Sequence, residues 1–216
     1  GTRFIVVATE FLTGETFNDF GKPDDQPADK HYDNLSYWRA RHHNFQRVAA
    51  RAQAVWHLSE QQVPVYQARL PTLPVCYLPH GYVPALRKVA LRPDAERDID
   101  FLFTGTLTPY RRAILDTLQA RGYRVHIAPM LTAHFHREDL LARTRIALNL
   151  RQHATWPHPS NNRIHFHLNN ASLLMSERCD YACDLDPYIE HASSLIDAAT
   201  DSLAQGHYRE RAEAAL

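Results

Sequence analysis

The chain has 216 residues, 44% of them hydrophobic, which is enough for one large domain or two small ones with a sizeable core. Lysine plus arginine and aspartate plus glutamate number 24 each, so net charge gives no support for a nucleic-acid-binding protein. No apolar run approaches the ~20 residues of a membrane helix, no signal peptide is visible, and three cysteines suit a reducing compartment. We therefore expect a cytoplasmic globular protein without a membrane span.

The first half of the chain shows strands that alternate with helices. The apolar run 3–8 predicts a buried strand, and the stretch 13–30, rich in Gly, Pro, Asp and Asn, predicts a long surface loop. Ser36 is placed to cap a helix that runs to about residue 52. A strand is predicted at residues 54–58, a short helix at 59–66 and a further strand at 74–78.

The charged segment 86–97 has no apolar period and contains Pro93. We interpret it as a linker between two domains, residues 1–88 and 98–216. Each domain alternates strands with helices, and this order predicts an α/β fold with parallel sheets whose faces are covered.

The second domain opens with a strand, a loop and a helix. The apolar run that ends at Phe103 stops at Thr104-Gly105-Thr106, and Thr108 and Pro109 then begin a helix. The later elements are predicted as a strand at 123–127, a helix at 137–145, a strand at 146–150, a helix from Asn161 or Asn162 to Leu168, a strand at 172–175 and a mostly helical tail from Asp186.

The loop around Gly105 lies where α/β proteins hold phosphorylated ligands. Gly105 and Thr106 have two interpretations, a phosphate site or a tight strand-to-helix turn, because one glycine is not a dinucleotide fingerprint. Arg111 and Arg112, in the first turns of the helix, either bind phosphate oxygens or lie on the solvated surface. At most one of these two adjacent residues can face a given ligand squarely.

Other polar residues also follow or interrupt apolar strands. His80, next to Gly81 at a strand's carboxyl end, is a ligand contact or proton carrier, or else a hydrogen-bonded turn histidine. Asn149 lies inside an apolar strand, so it makes either a buried hydrogen bond or a ligand contact. Glu177 either accepts ribose hydroxyls or is a surface acid or helix cap.

Arg163 lies in the first turn of a predicted helix, where it either adds positive charge to an anion site or is solvated. The pairs His134/His136 and His165/His167 do not have the spacing or companions of a metal site, so we expect no metal. No Walker A sequence, nucleophile elbow or Cys–His nucleophile is present.

The second half resembles the donor-binding domain of GT-B glycosyltransferases, in particular the bacterial CgeB-like and group 1-like proteins. The motifs that carry the resemblance are Asp100-Phe-Leu-Phe-Thr-Gly-Thr-Leu-Thr-Pro-Tyr-Arg-Arg-Ala-Ile-Leu115, Ile146-Ala-Leu-Asn-Leu150, Asn162-Arg-Ile164 and Leu173-Leu-Met-Ser-Glu177. In the first half, Val55-Trp-His-Leu-Ser59 and Val75-Cys-Tyr-Leu-Pro-His-Gly-Tyr82 are similar to the end of the N-terminal domain of these enzymes.

The resemblance implies two Rossmann-like βαβ domains of GT-B type, with a reduced N-terminal domain, and a cleft that binds a nucleotide-sugar. The activity it implies is metal- and cofactor-independent transfer of a sugar, of hexosyltransferase type, to an unknown acceptor hydroxyl on a glycan, lipid or protein. The donor-binding residues would be Gly81, Gly105, Thr106, Arg111, Arg112, Asn149, Arg163 and Glu177.

Two departures from the family pattern keep a second function open. Ser160 to Asn162 replace a glutamate that many relatives have before the arginine. Asn169 stands where some retaining relatives have a second glutamate, separated by seven residues from the one matched by Glu177. The N-terminal domain is also shorter than in most GT-B enzymes, so the resemblance implies either a fragment of a larger enzyme or a reduced homologue. A noncatalytic nucleotide or nucleotide-sugar binding module is therefore the alternative. For an enzyme, Glu10 or His80 are the candidate bases.

Overall fold

The computed structural model describes residues 3–19, 35–129 and 131–215, and the chain divides into two compact units, residues 1–80 and 81–216. Each unit contains a parallel sheet with helices packed against it, which confirms the predicted α/β class. Within these described ranges, no helix has both the length and the apolar character needed to cross a membrane.

The first unit has a three-stranded parallel sheet in the order β1-β4-β5 and a two-stranded antiparallel hairpin, β2-β3. Its elements are β1 (Ile5–Ala8), β2 (Leu12–Thr13), β3 (Thr16–Phe17), α1 (Leu35–Ala49), β4 (Ala54–His57), α2 (Gln62–Arg69) and β5 (Val75–Tyr77). The hairpin overlaps the start of the predicted loop 13–30, whose residues from 20 onward fall outside the described ranges.

Among the described residues, helices pack against one face of the first sheet. Val55 is fully buried in a core that includes Trp38 of α1 and Tyr66 of α2. On the opposite face Val7 and Trp56, which are partners in the strand register, are 50% and 36% exposed. The expectation of a buried first strand is therefore wrong for this face, since the helices on either side of β4 pack on the same side of the sheet.

The second unit has a five-stranded sheet in the order β10-β9-β8-β6-β7, and all its neighbouring strands are parallel. Its elements are β6 (Ile99–Thr104), α3 (Pro109–Ala120), β7 (Val125–Ala128), α4 (His134–Ala142), β8 (Thr144–Asn149), α5 (Asn161–Asn169), β9 (Leu174–Glu177), β10 (Glu190–Ala192), α6 (Leu195–Gln205) and α7 (Tyr208–Ala214).

Helices cover both faces of this second sheet. The core formed by Phe103 and Leu148 includes residues of α3, α6 and α7, whereas separate clusters pack α4 and α5 against Leu102 and Ala147. The strand order is that of a doubly wound sheet, in which the first two connections run in opposite directions. The order reverses between β6 and β8, so their carboxyl ends frame the crevice where such folds bind ligands.

The segment predicted as a linker, residues 86–97, is attached to the second unit. Val89 is buried in the cluster around α4, and the main-chain nitrogen of Arg92 donates to the carbonyl of Ala142. The side chain of Asn170 accepts hydrogen bonds from the main-chain nitrogens of Lys88 and Val89. In the tail, predicted as mostly helical, the structure adds the short strand β10 beside β9.

Candidate functional site at the carboxyl edge of the second sheet

The loop between β6 and α3 turns sharply at the edge where the strand order reverses. Gly105 has a backbone φ of 124°, a value that residues other than glycine rarely adopt. Its main-chain nitrogen donates to the carbonyl of Ala128. Thr108 caps α3, as predicted, because its hydroxyl oxygen accepts from the main-chain nitrogen of Arg111 at 3.3 Å. The same hydroxyl donates to the carbonyl of Gln152 at 2.7 Å, so the cap also fixes the loop that follows β8.

Arg111 turns back under this edge. It is 7% exposed, and its guanidinium donates to three main-chain carbonyls, those of Thr106, Leu150 and Arg151, at 2.8–3.2 Å. The guanidinium carbon lies 5.3 Å from the centre of the Phe103 ring. Arg111 therefore connects the loop after β6 to the end of β8 and carries a full charge beneath both.

Arg163 approaches the same place from α5. Its Nε donates to the carbonyl of Thr104 at 3.0 Å, and its Nη1 donates to Oδ1 of Asn149 at 2.7 Å. Its Nη2 faces Gly105, where a Cβ atom would lie only 2.8 Å away. The amide of Asn149 in turn donates to the hydroxyl of Ser176 at 2.9 Å. The glycine thus leaves the space that the guanidinium occupies.

The two guanidinium groups are enclosed without acidic partners. Arg163 is partly exposed as a residue, but burial of its charged end, with the nearby charge of Arg111, lowers its pKa to about 9. Burial likewise lowers the pKa of Arg111 to about 10, against a smaller opposing effect of Glu177. In the part of the chain that the structure describes, no carboxylate forms an ion pair with either arginine. The edge therefore holds uncompensated positive charge.

Glu177, the last residue of β9, lies beside this pair at the same edge. Its Oε1 accepts a hydrogen bond from the hydroxyl of Tyr110, and its Oε2 accepts one from the main-chain nitrogen of Arg151 at 2.6 Å. Glu177 is 8% exposed. Three arginines, Arg111, Arg151 and Arg163, and one glutamate leave a net charge of two positive units at this edge.

The remaining predicted site residues lie elsewhere. Arg112 is on the exposed side of α3, with its guanidinium 3.8 Å from the carboxylate of Asp116. Glu10, in the first unit, binds Arg41 at 2.7 Å and Asn18 at 2.8 Å through its carboxylate. His80 is partly buried at the end of the first unit, and the carbonyl of Gly81 is in hydrogen-bond contact with the His165 ring at 2.9 Å.

Sequence reasoning did not single out Tyr110, Arg151 or Ser176. Tyr110 precedes the arginine pair and Arg151 comes two residues after Asn149, so both stand next to residues that were named. Tyr110 lies in the first turn of α3 and Arg151 just after β8. Polar side chains at both places converge on one edge of the sheet, so position in the chain could have indicated these two residues. No group of three or more His, Cys, Asp or Glu side chains in the described ranges is placed to hold a metal ion.

Comparison with known proteins identifies no family for this chain. No protein-family model matches its sequence, and no curated protein gives a significant match. The GT-B resemblance, which rests on short motifs around Gly105, Asn149, Arg163 and Glu177, stays a prediction. The structure by itself shows an α/β protein with parallel sheets, in which two arginine side chains meet at one edge of the second sheet.

Proposed function

We propose that the chain is a metal-independent glycosyltransferase of GT-B type that binds the nucleoside diphosphate of a nucleotide-sugar at the carboxyl edge of β6 and β8. The observation that carries this proposal is the pair of enclosed guanidinium groups, Arg111 and Arg163, at the point where the strand order reverses. Doubly wound sheets bind ligands at such points, and guanidinium groups match phosphate oxygens in geometry and charge.

The energetics of the two arginines favour an anionic ligand. Enclosing a cation without a counterion is unfavourable, and here main-chain carbonyls supply only partial negative charge. A diphosphate brings negative charges to the same place and offsets this penalty, so the free energy of binding includes relief of the repulsion between Arg111 and Arg163.

The same charge serves the proposed reaction. An acceptor hydroxyl attacks the anomeric carbon of the sugar, the bond from that carbon to the diphosphate oxygen breaks, and negative charge develops on the departing diphosphate. Fixed guanidinium groups stabilise that charge without reorganisation, which is the task a divalent metal performs in other sites. Proton removal from the acceptor requires a base, for which Glu10 and His80 remain the candidates.

One observation favours the alternative, a noncatalytic nucleotide or nucleotide-sugar binding module. The carboxylate of Glu10 is already engaged by Arg41 and Asn18 in the first unit, which suits a structural role better than proton transfer. The site around Arg163 serves binding equally well in both functions. Donor hydrolysis therefore distinguishes them, whereas binding tests what they share.

Binding of UDP, GDP, ADP and CMP in the presence of EDTA tests the shared part. We expect at least one nucleoside diphosphate to raise the unfolding temperature and to bind more tightly than CMP, since ligands that prefer the folded state stabilise it. Arg163→Gln should weaken that binding by about 10- to 100-fold, because a charge-assisted contact is lost. Arg121→Gln is the control, since Arg121 pairs with Asp197 on the surface. Absence of binding to the wild type would refute the proposal.

Donor turnover then decides between enzyme and binding module. We expect slow release of the nucleoside diphosphate from its sugar conjugates by the wild type, with no requirement for divalent metal. Glu10→Gln and His80→Gln test the two candidate bases separately. Tight binding without any turnover, over a panel of UDP- and GDP-sugars, would support the noncatalytic alternative.

A further inference from the structure

A third arginine at the same edge, Arg151, differs from Arg111 and Arg163 in its exposure and its hydrogen bonds. Arg151 comes two residues after β8, and its side chain is 23% exposed. Its Nε is buried and has no hydrogen-bond partner among the described residues, with Oε1 of Glu177 3.8 Å away, and its guanidinium also interacts with the hydroxyl of Tyr110. By contrast, Arg111 directs its Nε, Nη1 and Nη2 to main-chain carbonyls. Only the exposed part of the Arg151 side chain, and not its buried Nε, can therefore meet a ligand.

Glu177 is held in place by contacts from two sides. Tyr110, in the first turn of α3, donates its hydroxyl hydrogen to Oε1, and the main-chain nitrogen of Arg151 donates to Oε2. Burial, together with the hydrogen bond to Glu177, raises the pKa of Tyr110, so the phenol remains a donor at neutral pH. With both oxygens engaged, the carboxylate keeps a fixed orientation beside the Arg151 side chain.

We propose that Arg151 contacts a phosphate group of the ligand directly, and that Tyr110 and Glu177 position its side chain for this contact. This inference rests on the proposed function, because it assigns a further residue to the same diphosphate site. Arg111 and Arg163 then supply a fixed positive field from below the edge, and Arg151 supplies N–H donors from its partly exposed side.

The assignment gives Glu177 a role other than the predicted one. A carboxylate that accepts ribose hydroxyls would affect nucleosides and leave inorganic pyrophosphate alone. A carboxylate that positions Arg151 affects every ligand that carries the diphosphate, with or without a nucleoside. Inorganic pyrophosphate therefore separates the two roles of Glu177, and the effect of Tyr110 should follow that of Glu177.

Titration calorimetry with inorganic pyrophosphate and with UDP, GDP and ADP tests the inference on the intact chain. Arg151→Gln should weaken both pyrophosphate and nucleoside diphosphate binding by about 10- to 100-fold and lower the dependence of affinity on salt. Arg151→Lys should recover part of the affinity, because the charge remains but the planar fork is lost. Tyr110→Phe, which frees Oε1 of Glu177 without changing the charge of the site, should weaken pyrophosphate binding by about two- to tenfold.

Arg121→Gln is the matched control on the same unit, since it removes one exposed, surface-paired guanidinium. Circular dichroism and urea unfolding show whether each variant is folded. If Arg151→Gln binds pyrophosphate as tightly as the wild type does, while Arg163→Gln binds it more weakly, this inference is overturned and the proposed function stands. Weakening of nucleoside diphosphates alone by Glu177→Gln would return Glu177 to a ribose-binding role and also overturn it. Failure of the wild type to bind any of these ligands would refute the proposed function itself.

Discussion

The two sheets of this protein are built from similar apolar strands but differ in how they are covered. In the first unit Val7 and Trp56 remain exposed on one face, because both helices beside β4 pack on the other. In the second unit Phe103 is buried under helices on one face and Leu102 under helices on the other. The carboxyl edge of a sheet covered on both faces can enclose charged groups, and this is where Arg111 and Arg163 lie.

A matched pair of substitutions tests this difference in stability, and it should give the largest effect. Ile146→Ala in β8 removes a side chain that is 0% exposed, so we expect a loss of about 2–5 kcal/mol in the free energy of unfolding. Ile5→Ala in β1 changes a side chain that is 41% exposed, and should cost only about 1 kcal/mol. Urea unfolding measures both, and equal losses would contradict the contrast between the sheets.

Gly105 tests whether the edge of the second sheet depends on the space beside Arg163. In Gly105→Ala the new methyl group would lie 2.8 Å from Nη2 of Arg163, and the φ of 124° adds strain. We expect a loss of about 1–3 kcal/mol in stability together with weaker nucleoside diphosphate binding. Gly122→Ala is the control, since Gly122 also has a positive φ, of 89°, but nothing lies within 4 Å of its Cβ position. Equal effects of both changes on binding would show that strain alone explains the result.

His167 of α5 should make the stability of the second unit depend on pH in the acid range. Burial, with the charge of Arg163, lowers the pKa of His167 to about 3, so the ring stays neutral in the folded unit. The unfolded chain binds a proton near pH 6.5, and stability is therefore lost as pH falls from about 6.5 towards 3. We expect a contribution of about 2 kcal/mol between pH 6.5 and 5. His167→Gln should flatten this dependence in urea unfolding, and an unchanged slope would contradict the assignment.

Much of the second unit was predictable because its signals are local. The run ending at Phe103, the cap at Thr108 and the glycine at 105 together specify a strand, a turn and a helix within a dozen residues. Because the carboxyl ends of parallel strands share one edge, Glu177 was expected there as well, whereas Asn149 was singled out only as a polar residue inside an apolar strand. That part of the site follows from chain order and strand direction alone.

The remaining features depend on tertiary packing. Arg111 and Arg112 are adjacent, and which of them turns inward is set by the face of α3 that packs against the sheet. The exposure of Val7 depends on where two helices pack, which β1 itself does not encode. The strand β10 has three residues, two of them polar, and forms only by pairing with β9. Of these outcomes, the orientation of Arg111 alone has a periodic signal in its own segment, since Arg111 lies four and seven residues before the buried Leu115 and Leu118.

The position of Arg163 limits which substitutions this protein can accept during evolution. Its guanidinium joins the carbonyl that ends β6 to the amide side chain that ends β8, so it cross-links neighbouring strands as well as carrying charge. A mutation of Arg163 therefore affects the pairing of β6 with β8 as well as the charge of the edge. A substitution at Arg151, whose side chain lies 3.8 Å from Glu177 of β9, leaves that link between β6 and β8 in place.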